Sequence, residues 1–330
     1  MRKKIFSLSL CAVLFALCHP VWAQQRGKIP RVGVLEPGLS PTKSATTVCR
    51  DWLRQGLRDL GYMEGNNIAI EYRFADGELQ SIPKLASELV RLTPDVIWTH
   101  SIVAAQAAKQ ATRTIPIVVG VGVDFAEHGL VATLARPGGN VTGLEHRDID
   151  LTGKRLEILT QAVPNASRVA VLIDPANPAH AQIPKNIEAE VRALRVGLQR
   201  VEANGPAAFD KAFAVMAQGR INALMIPEGA MFSRNRQRIF DLARTSRLPT
   251  ISGGQHFAEA GSLMSYGANV SDICRRSAFF VDKILKGSKP ADLPVERPTK
   301  FELVINLKRA KQIGLTIPQS VLYRANRVIK

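Results

Sequence analysis

The sequence predicts an α/β fold arranged as two Rossmann-like lobes with parallel sheets and a ligand cleft between them. The first observation is length: 330 residues exceed what one compact core serves and suggest two domains of roughly 150 residues each. The second is the alternation of short apolar runs with amphipathic stretches in both halves, the pattern of parallel sheets covered by helices on both faces. The third is that the apolar runs end in small or polar residues beside breakers, where open α/β sheets bind ligands.

In the first half, Pro30 to Leu35 reads as a strand and runs into the turn-rich loop Glu36-Pro37-Gly38-Leu39-Ser40-Pro41. Thr46 to Leu60 places Val48, Trp52, Leu53, Leu57 and Leu60 at helical spacing and stops at Gly61, a suitable C-cap. Asn67 to Phe74 alternates as a second strand, and Ile82 to Leu92 is an amphipathic helix. Asp95 to Trp98 is a third strand that opens into Thr99-His100-Ser101, before a small-residue helix from Ile102 to Thr112. Ile115 to Val119 is the fourth strand, a continuous apolar run suited to burial on both faces. It breaks into Gly120-Val121-Gly122, presents Asp124 and leads through the amphipathic segment Gly129 to Ala135. Arg136 to Gly143, with its Pro137-Gly138-Gly139-Asn140 cluster, reads as the first crossing between lobes.

The second half repeats the pattern. Strands are expected at Arg168 to Ile173, Gly197 to Glu202, Ala223 to Pro227, Pro249 to Ser252, Ser262 to Tyr266 and Phe301 to Asn306. Helices are expected at Ile183 to Leu194, Ala207 to Ala217, Ser233 to Ser246, Asp272 to Leu285 and Leu307 to Gly314.

A hydrophobic share of 46% with 22% charged residues describes a globular chain rather than a disordered one. The formal net charge of +16 is compatible with nucleic acid, a membrane surface or anionic ligands. The basic pairs Arg275-Arg276 and Lys308-Arg309 are isolated, however, and the dense stripe of a nucleic-acid binder is missing, so no nucleic-acid partner is expected.

At the N-terminus, Arg2, Lys3 and Lys4 precede the apolar run Ile5 to Leu17, and Val21-Trp22-Ala23 supplies small residues before a cleavage point. Residues 1–23 therefore read as a signal peptide cleaved after Ala23. The run is short for a membrane span, and the bulky Leu17 before Cys18 fits lipoprotein processing poorly. Removing the signal lowers the net charge to +13 and leaves Cys49 and Cys274. Two separate buried thiols are expected, with one disulfide as the alternative in an oxidising compartment.

Five stretches carry a family resemblance. They are Gly56-Leu57-Arg58-Asp59-Leu60-Gly61-Tyr62 with Glu64-Gly65-Asn67, Ala135 to Gly143 (ARPGGNVTG), and Lys154-Arg155-Leu156-Glu157. The others are Glu259-Ala260-Gly261 with Met264-Ser265-Tyr266-Gly267, and Pro298 to Asn306 (PTKFELVIN). In this order along the chain, the sequence resembles the tryptophan/tyrosine-type periplasmic substrate-binding proteins of ABC transporters. The resemblance implies a type I periplasmic-binding-protein architecture, with residues 29–143 and about 266–296 in one lobe and 144–265 and about 297–330 in the other. It also implies a periplasmic monomer that hands a small molecule to an inner-membrane permease with its ATPase. It does not name the ligand.

The residues themselves supply polar groups at the strand ends. Ser101 and the free N–H groups that follow it suit a carboxylate or a simple helix cap, and Ile102 begins that helix. His100 reads as a ligand contact or as a satisfied histidine. Asp124 suits an ammonium or hydroxyl, with Gly122 permitting close backbone approach; the alternative is a local cap. Gly38, Leu39 and Ser40 follow the first strand, and Asp174, Asn177, Glu228 and Gln255 follow strands of the second half, with His256 beside the last. Those four are expected to face the same cleft or to build Asx turns. Leu39, Phe125, Met231 and Phe232 read as cleft walls or as core, and Tyr266 as hinge or wall. Gly120-Val121-Gly122 lacks the third glycine of a dinucleotide fingerprint, and no GxSxG, HExxH, Walker loop or metal-ligand spacing occurs. No cofactor, metal or catalytic group is expected. The favoured function is capture of an amino acid by closure of the lobes, with an aromatic or otherwise carboxylated ligand within that reading. A ligand sensor for a receptor, or an exported α/β enzyme, are the rival readings.

Overall fold

In the computed structural model, the described residues are 29–41 and 49–330. The signal peptide expected at residues 1–23 and the start of the helix expected from Thr46 lie outside them. The first sheet is built from β1 (Arg31–Glu36), β2 (Ala69–Phe74), β3 (Val96–Thr99), β4 (Ile117–Gly122) and β5 (Val141–Glu145). They lie in the order β2-β1-β3-β4-β5 with every pairing parallel. Helices α1 (Cys49–Asp59), α2 (Ile82–Arg91) and α3 (Ile102–Ala111) connect the strands.

The strands are apolar because both faces are covered. Leu35, Ile97, Ile117 and Val119 point into a core with Ala86, Leu89 and Ala104. Val32, Val34, Trp98 and Val118 alternate to the other face and meet Leu53, Leu57, Phe280 and Val281. Phe280 and Val281 belong to α11 (Val270–Leu285), a helix far along the chain that returns to the first sheet and packs on α1. The Trp98 indole donates to Ser277 Oγ at 2.9 Å, and the Tyr62 hydroxyl donates to Asp282 at 3.0 Å.

Between these pieces lie α4 (Thr152–Ala162), β6 (Arg168–Ile173), α5 (Pro178–Asn186), α6 (Glu188–Leu194), β7 (Gly197–Glu202), α7 (Phe209–Gln218) and β8 (Ala223–Ile226). They are followed by α8 (Ala230–Arg234), α9 (Arg236–Thr245), β9 (Thr250–Ser252), α10 (Gln255–Glu259) and β10 (Met264–Ala268). After α11 come β11 (Phe301–Asn306), α12 (Leu307–Gln312), α13 (Gln319–Leu322) and β12 (Arg327–Ile329). The second sheet runs β12-β11-β10-β9-β8-β6-β7, parallel except for the β10–β11 pair. Val169, Val171 and Ile173 alternate with Ala170 and Leu172 between its two cores.

Four expectations need correction. Val141 to Gly143 is not a crossing: it is part of β5, hydrogen-bonded to β4, and the chain leaves the first sheet only after Glu145. Gly143 sits inside this strand at φ +142, where a Cβ would lie 2.1 Å from Val119 O. The helix expected over Ile183 to Leu194 is two helices, α5 and α6, with Pro184 inside the first. The helix expected over Ser233 to Ser246 likewise divides at Asn235. Finally, Cys49 and Cys274 are not separate thiols; they form a disulfide between α1 and α11, with Cα atoms 5.2 Å apart. The close packing of those two helices brings the cysteines together across 225 residues.

Candidate functional site

Both sheets contain the strand order 2-1-3-4-5, in which neighbouring connections leave in opposite directions beside the first strand. The crevice at that switch point, outside the carboxyl ends of the strands, is where such folds bind ligands. In the first lobe it lies between β1 and β3, flanked by Gly38, Leu39 and Ser40 on one side and Ser101 and Ile102 on the other. In the second it lies between β6 and β8, flanked by Asp174, Asn177 and Glu228, with Gln255 after the neighbouring β9.

On the first-lobe side, Ser101 is the N-cap of α3, with extended backbone and its hydroxyl accepting from the Ala104 N–H at 3.5 Å. That weak cap leaves the amides of Ile102 and Val103 without an intrahelical partner. Ile102 packs against Gly122, where a Cβ would lie 2.8 Å from Ile102 Cδ1. The Ser40 amide donates to Asp76 at 2.8 Å, and Leu39 is exposed. Asp124 has φ +47 and faces Arg147 at 3.3 Å, so its charge already has a partner on the segment leaving the lobe. His100 hydrogen-bonds to Glu36, a buried carboxylate at the end of β1 whose Oε2 has no partner. Phe125 and Phe232 are fully buried in separate cores, which resolves their two readings in favour of core.

The second-lobe residues gather more tightly. Asp174 Oδ1 accepts from the Ala176 amide at 3.0 Å and Asn177 Oδ1 from the Ala179 amide at 3.1 Å, so both build turns at the strand end. His180 links them to Glu228: its Nδ1 accepts from the Asp174 amide at 3.1 Å, and its Nε2 donates to the Glu228 carbonyl at 2.7 Å. Burial holds this imidazole below its ordinary value, and the two bonds fit the neutral ring. Asp148, just after the first passage between lobes, accepts the Glu228 amide at 3.2 Å. Its carboxylate is gripped by Arg155 on α4 through both terminal nitrogens. Arg155 is itself buried and also donates from Nε to the Tyr266 carbonyl at 2.7 Å.

These neighbours set the charges. Burial would raise the Asp148 carboxyl, but the Arg155 charge and hydrogen bonds outweigh it and hold Asp148 low. Glu228 has no cation bonded to it: burial, and then the Asp148 charge, outweigh the more distant Arg155 and push it up to about 7. Gly253 and Gly254 make room for it; a Cβ on Gly253 would lie 2.3 Å from Glu228 Cγ, and one on Gly254 2.4 Å from Glu228 Oε1. Gln255 opens α10 beside them. A cavity of about 210 Å³ runs from Gly254, Gln255 and His256 to Cys49 and Trp52 of α1, joining the two lobes' surfaces.

Asp148, Arg155, His180 and Glu36 were not foreseen as site residues. Arg155 carried a signal: with Thr152, Leu159 and Ala162 it occupies the inward stripe of α4, where a guanidinium needs a buried partner. His180 shares the same kind of stripe with Ile183 and Ile187. Among the described residues no group of three or more potential metal ligands occurs, and no helix is long and apolar enough to cross a membrane.

Comparisons with known proteins bear on the fold and the family. The "Tyrosine-binding protein" of Clostridioides difficile (strain R20291) is 25% identical over 271 residues, covering 79% of this chain and 75% of that one. A conserved domain protein from Vibrio cholerae superposes with TM-score 0.77 at 27% identity, covering 91% of this chain and all of that one. The ABC domain in complex with L-Trp from Streptococcus pneumonia superposes with TM-score 0.77 at 23% identity over 92% of this chain and all of its own. The family model described as "ABC transporter substrate binding protein" matches residues 42–329. This match across nearly the whole chain places the protein in the ABC transporter substrate-binding protein family.

Proposed function

We propose that this protein captures an amino acid with an aromatic side chain, tyrosine foremost, between its lobes and delivers it to an inner-membrane permease and its ATPase. The observation that carries the reading is that the two switch points offer opposite charge. The start of α3 presents free amides behind Ser101, which suit a carboxylate. The second lobe presents Glu228 beside Asp148, two acids with one guanidinium, Arg155, which is bonded to Asp148 alone of the two, and this suits an ammonium. Asp124 is the weaker ammonium candidate because Arg147 already faces it. The relative's tyrosine supports an aromatic side chain.

In this reading Gly38, Leu39, Ser40, Ser101, Ile102, Gly122 and Asp124 line one wall, and Asp174, Asn177, Glu228 and Gln255 the other. One lobe comprises residues up to about 145 together with α11, and the other comprises the remainder. The ligand draws them together through its higher affinity for the closed state. The protein is a periplasmic monomer, released by cleavage after Ala23.

A thermal-shift screen of amino acids on residues 24–330 tests this, because a tight ligand raises stability by mass action. Tyrosine or another aromatic amino acid should raise the melting temperature, and Ser101→Ala and Glu228→Gln should each weaken the calorimetric affinity. A shift with some other solute class and none with amino acids would overturn the reading.

A further inference from the structure

We propose that Glu228 holds a proton in the empty protein and releases it to solvent when a ligand ammonium takes its place, so that capture is an exchange of one positive charge for another. The inference rests on the amino-acid reading above. It follows from what surrounds Glu228 on every packed element. Asp148 lies on one side, accepting the Glu228 amide at 3.2 Å. Both carboxyl groups flank Gly253, whose absent Cβ would lie 2.3 Å from Glu228 Cγ and 2.9 Å from Asp148 Oδ1.

The local cations are already committed. Arg155 spends its donors on both Asp148 oxygens, on the Asp148 carbonyl and on the Tyr266 carbonyl. His180, on α5, accepts at one nitrogen and donates at the other to the Glu228 carbonyl, which leaves it neutral, and Asp174 behind it adds negative charge. His256, on α10, lies near Gly254 and 3.4 Å from Ser233 Oγ, and burial, then Arg236, disfavours its charged form. Burial first and the Asp148 charge second therefore raise the Glu228 carboxyl to about 7, against the smaller opposing pulls of the committed Arg155 and the Gly254 amide. A like charge so close leaves one of two carboxylates protonated.

The step balances simply. The carboxylic acid loses its proton to water, the resulting carboxylate pairs with the ligand's ammonium, and no covalent bond to the ligand forms. The exchange also determines specificity. A desamino analogue of the same shape brings no cation, leaves the proton in place and gains nothing from Glu228.

Calorimetry with L-tyrosine, in buffers of different ionisation enthalpy, reads the exchange directly. About half a proton should leave per ligand at pH 7, nearly a whole one at pH 5.5 and almost none at pH 8.5. The dissociation constant should be about 100-fold larger at pH 5 than at pH 8. Glu228→Gln should abolish both effects while keeping the Gly254 hydrogen bond. The desamino analogue 3-(4-hydroxyphenyl)propionate should bind weakly and release no proton. Tyrosine binding without proton release, or release that persists in Glu228→Gln, overturns the exchange and leaves the amino-acid reading standing. If tyrosine and the other amino acids fail to bind, both fall.

Discussion

Replacing Arg155 by methionine tests the charge arrangement of the second lobe most severely. The guanidinium is buried, grips both Asp148 oxygens and caps the Tyr266 carbonyl at 2.7 Å. Methionine fills part of the volume but leaves the Asp148 carboxylate, only 12% exposed, without its counterion and beside Glu228. Removing one partner of a buried pair costs about 3–5 kcal/mol. The pH dependence has a definite sign. In the native protein Asp148 is held below its ordinary 3.8, so its contribution to stability is present above that value and is lost as pH falls through the lowered one. Without Arg155, burial pushes the same carboxyl up, and protonation relieves the penalty in mild acid. Arg155→Met should therefore cost about 3–5 kcal/mol at pH 7.5 in urea unfolding and clearly less at pH 4.5. Adding Asp148→Asn should recover much of the difference at pH 7.5. A cost under about 1 kcal/mol, or an equal cost at both pH values, would refute the assignment of a buried, structure-bearing ion pair.

Three further outcomes follow from the same structure. Glu228 is raised from 4.5 to about 7, so the stability it contributes is full below 4.5 and is lost as pH rises through 7. Glu228→Gln should accordingly stabilise the ligand-free protein by about 3 kcal/mol at pH 8 and hardly at all at pH 4, read by denaturant titration at both. Gly253→Ala should displace the Glu228 side chain, whose Cγ would lie 2.3 Å from the new methyl group, destabilise by about 1–3 kcal/mol and weaken ligand affinity in calorimetry. Replacing Cys49 and Cys274 together by serine should lower stability by up to about 5 kcal/mol, the chain-entropy value for so long a loop, in a comparison of oxidised wild type with the double variant.

The strands were legible wherever both faces are buried, because such a strand is written as an uninterrupted apolar run. β4 and β6 show it. β5 was not, since Val-Thr-Gly-Leu-Glu mixes a hydroxyl, a glycine and a carboxylate, and its identity as a strand comes from pairing with β4. The helix breaks at Ile187 and Asn235 were hidden for a similar reason: local periodicity continues through both. At the site, the strand-end residues could be read from position alone. The groups that set their charge could not, because Asp148 and Arg155 reach Glu228 from a passage and a helix 80 and 73 positions earlier in the chain. The Cys49–Cys274 bond had no signal but its two endpoints, and only the contact between α1 and α11 shows that they meet.

That bond makes a covalent ring of residues 49–274, and most of the second lobe hangs inside it. The first lobe cannot be finished until α11 has been made, so Cys49 must wait for a partner that arrives only after β6 to β10 have been synthesised. A single proteolytic nick anywhere inside the ring would leave the molecule in one covalent piece, migrating as an intact chain until a reductant opened it. In topology each lobe interrupts the other: α11 completes the first only after β6 to β10, and β11 and β12 complete the second after α11.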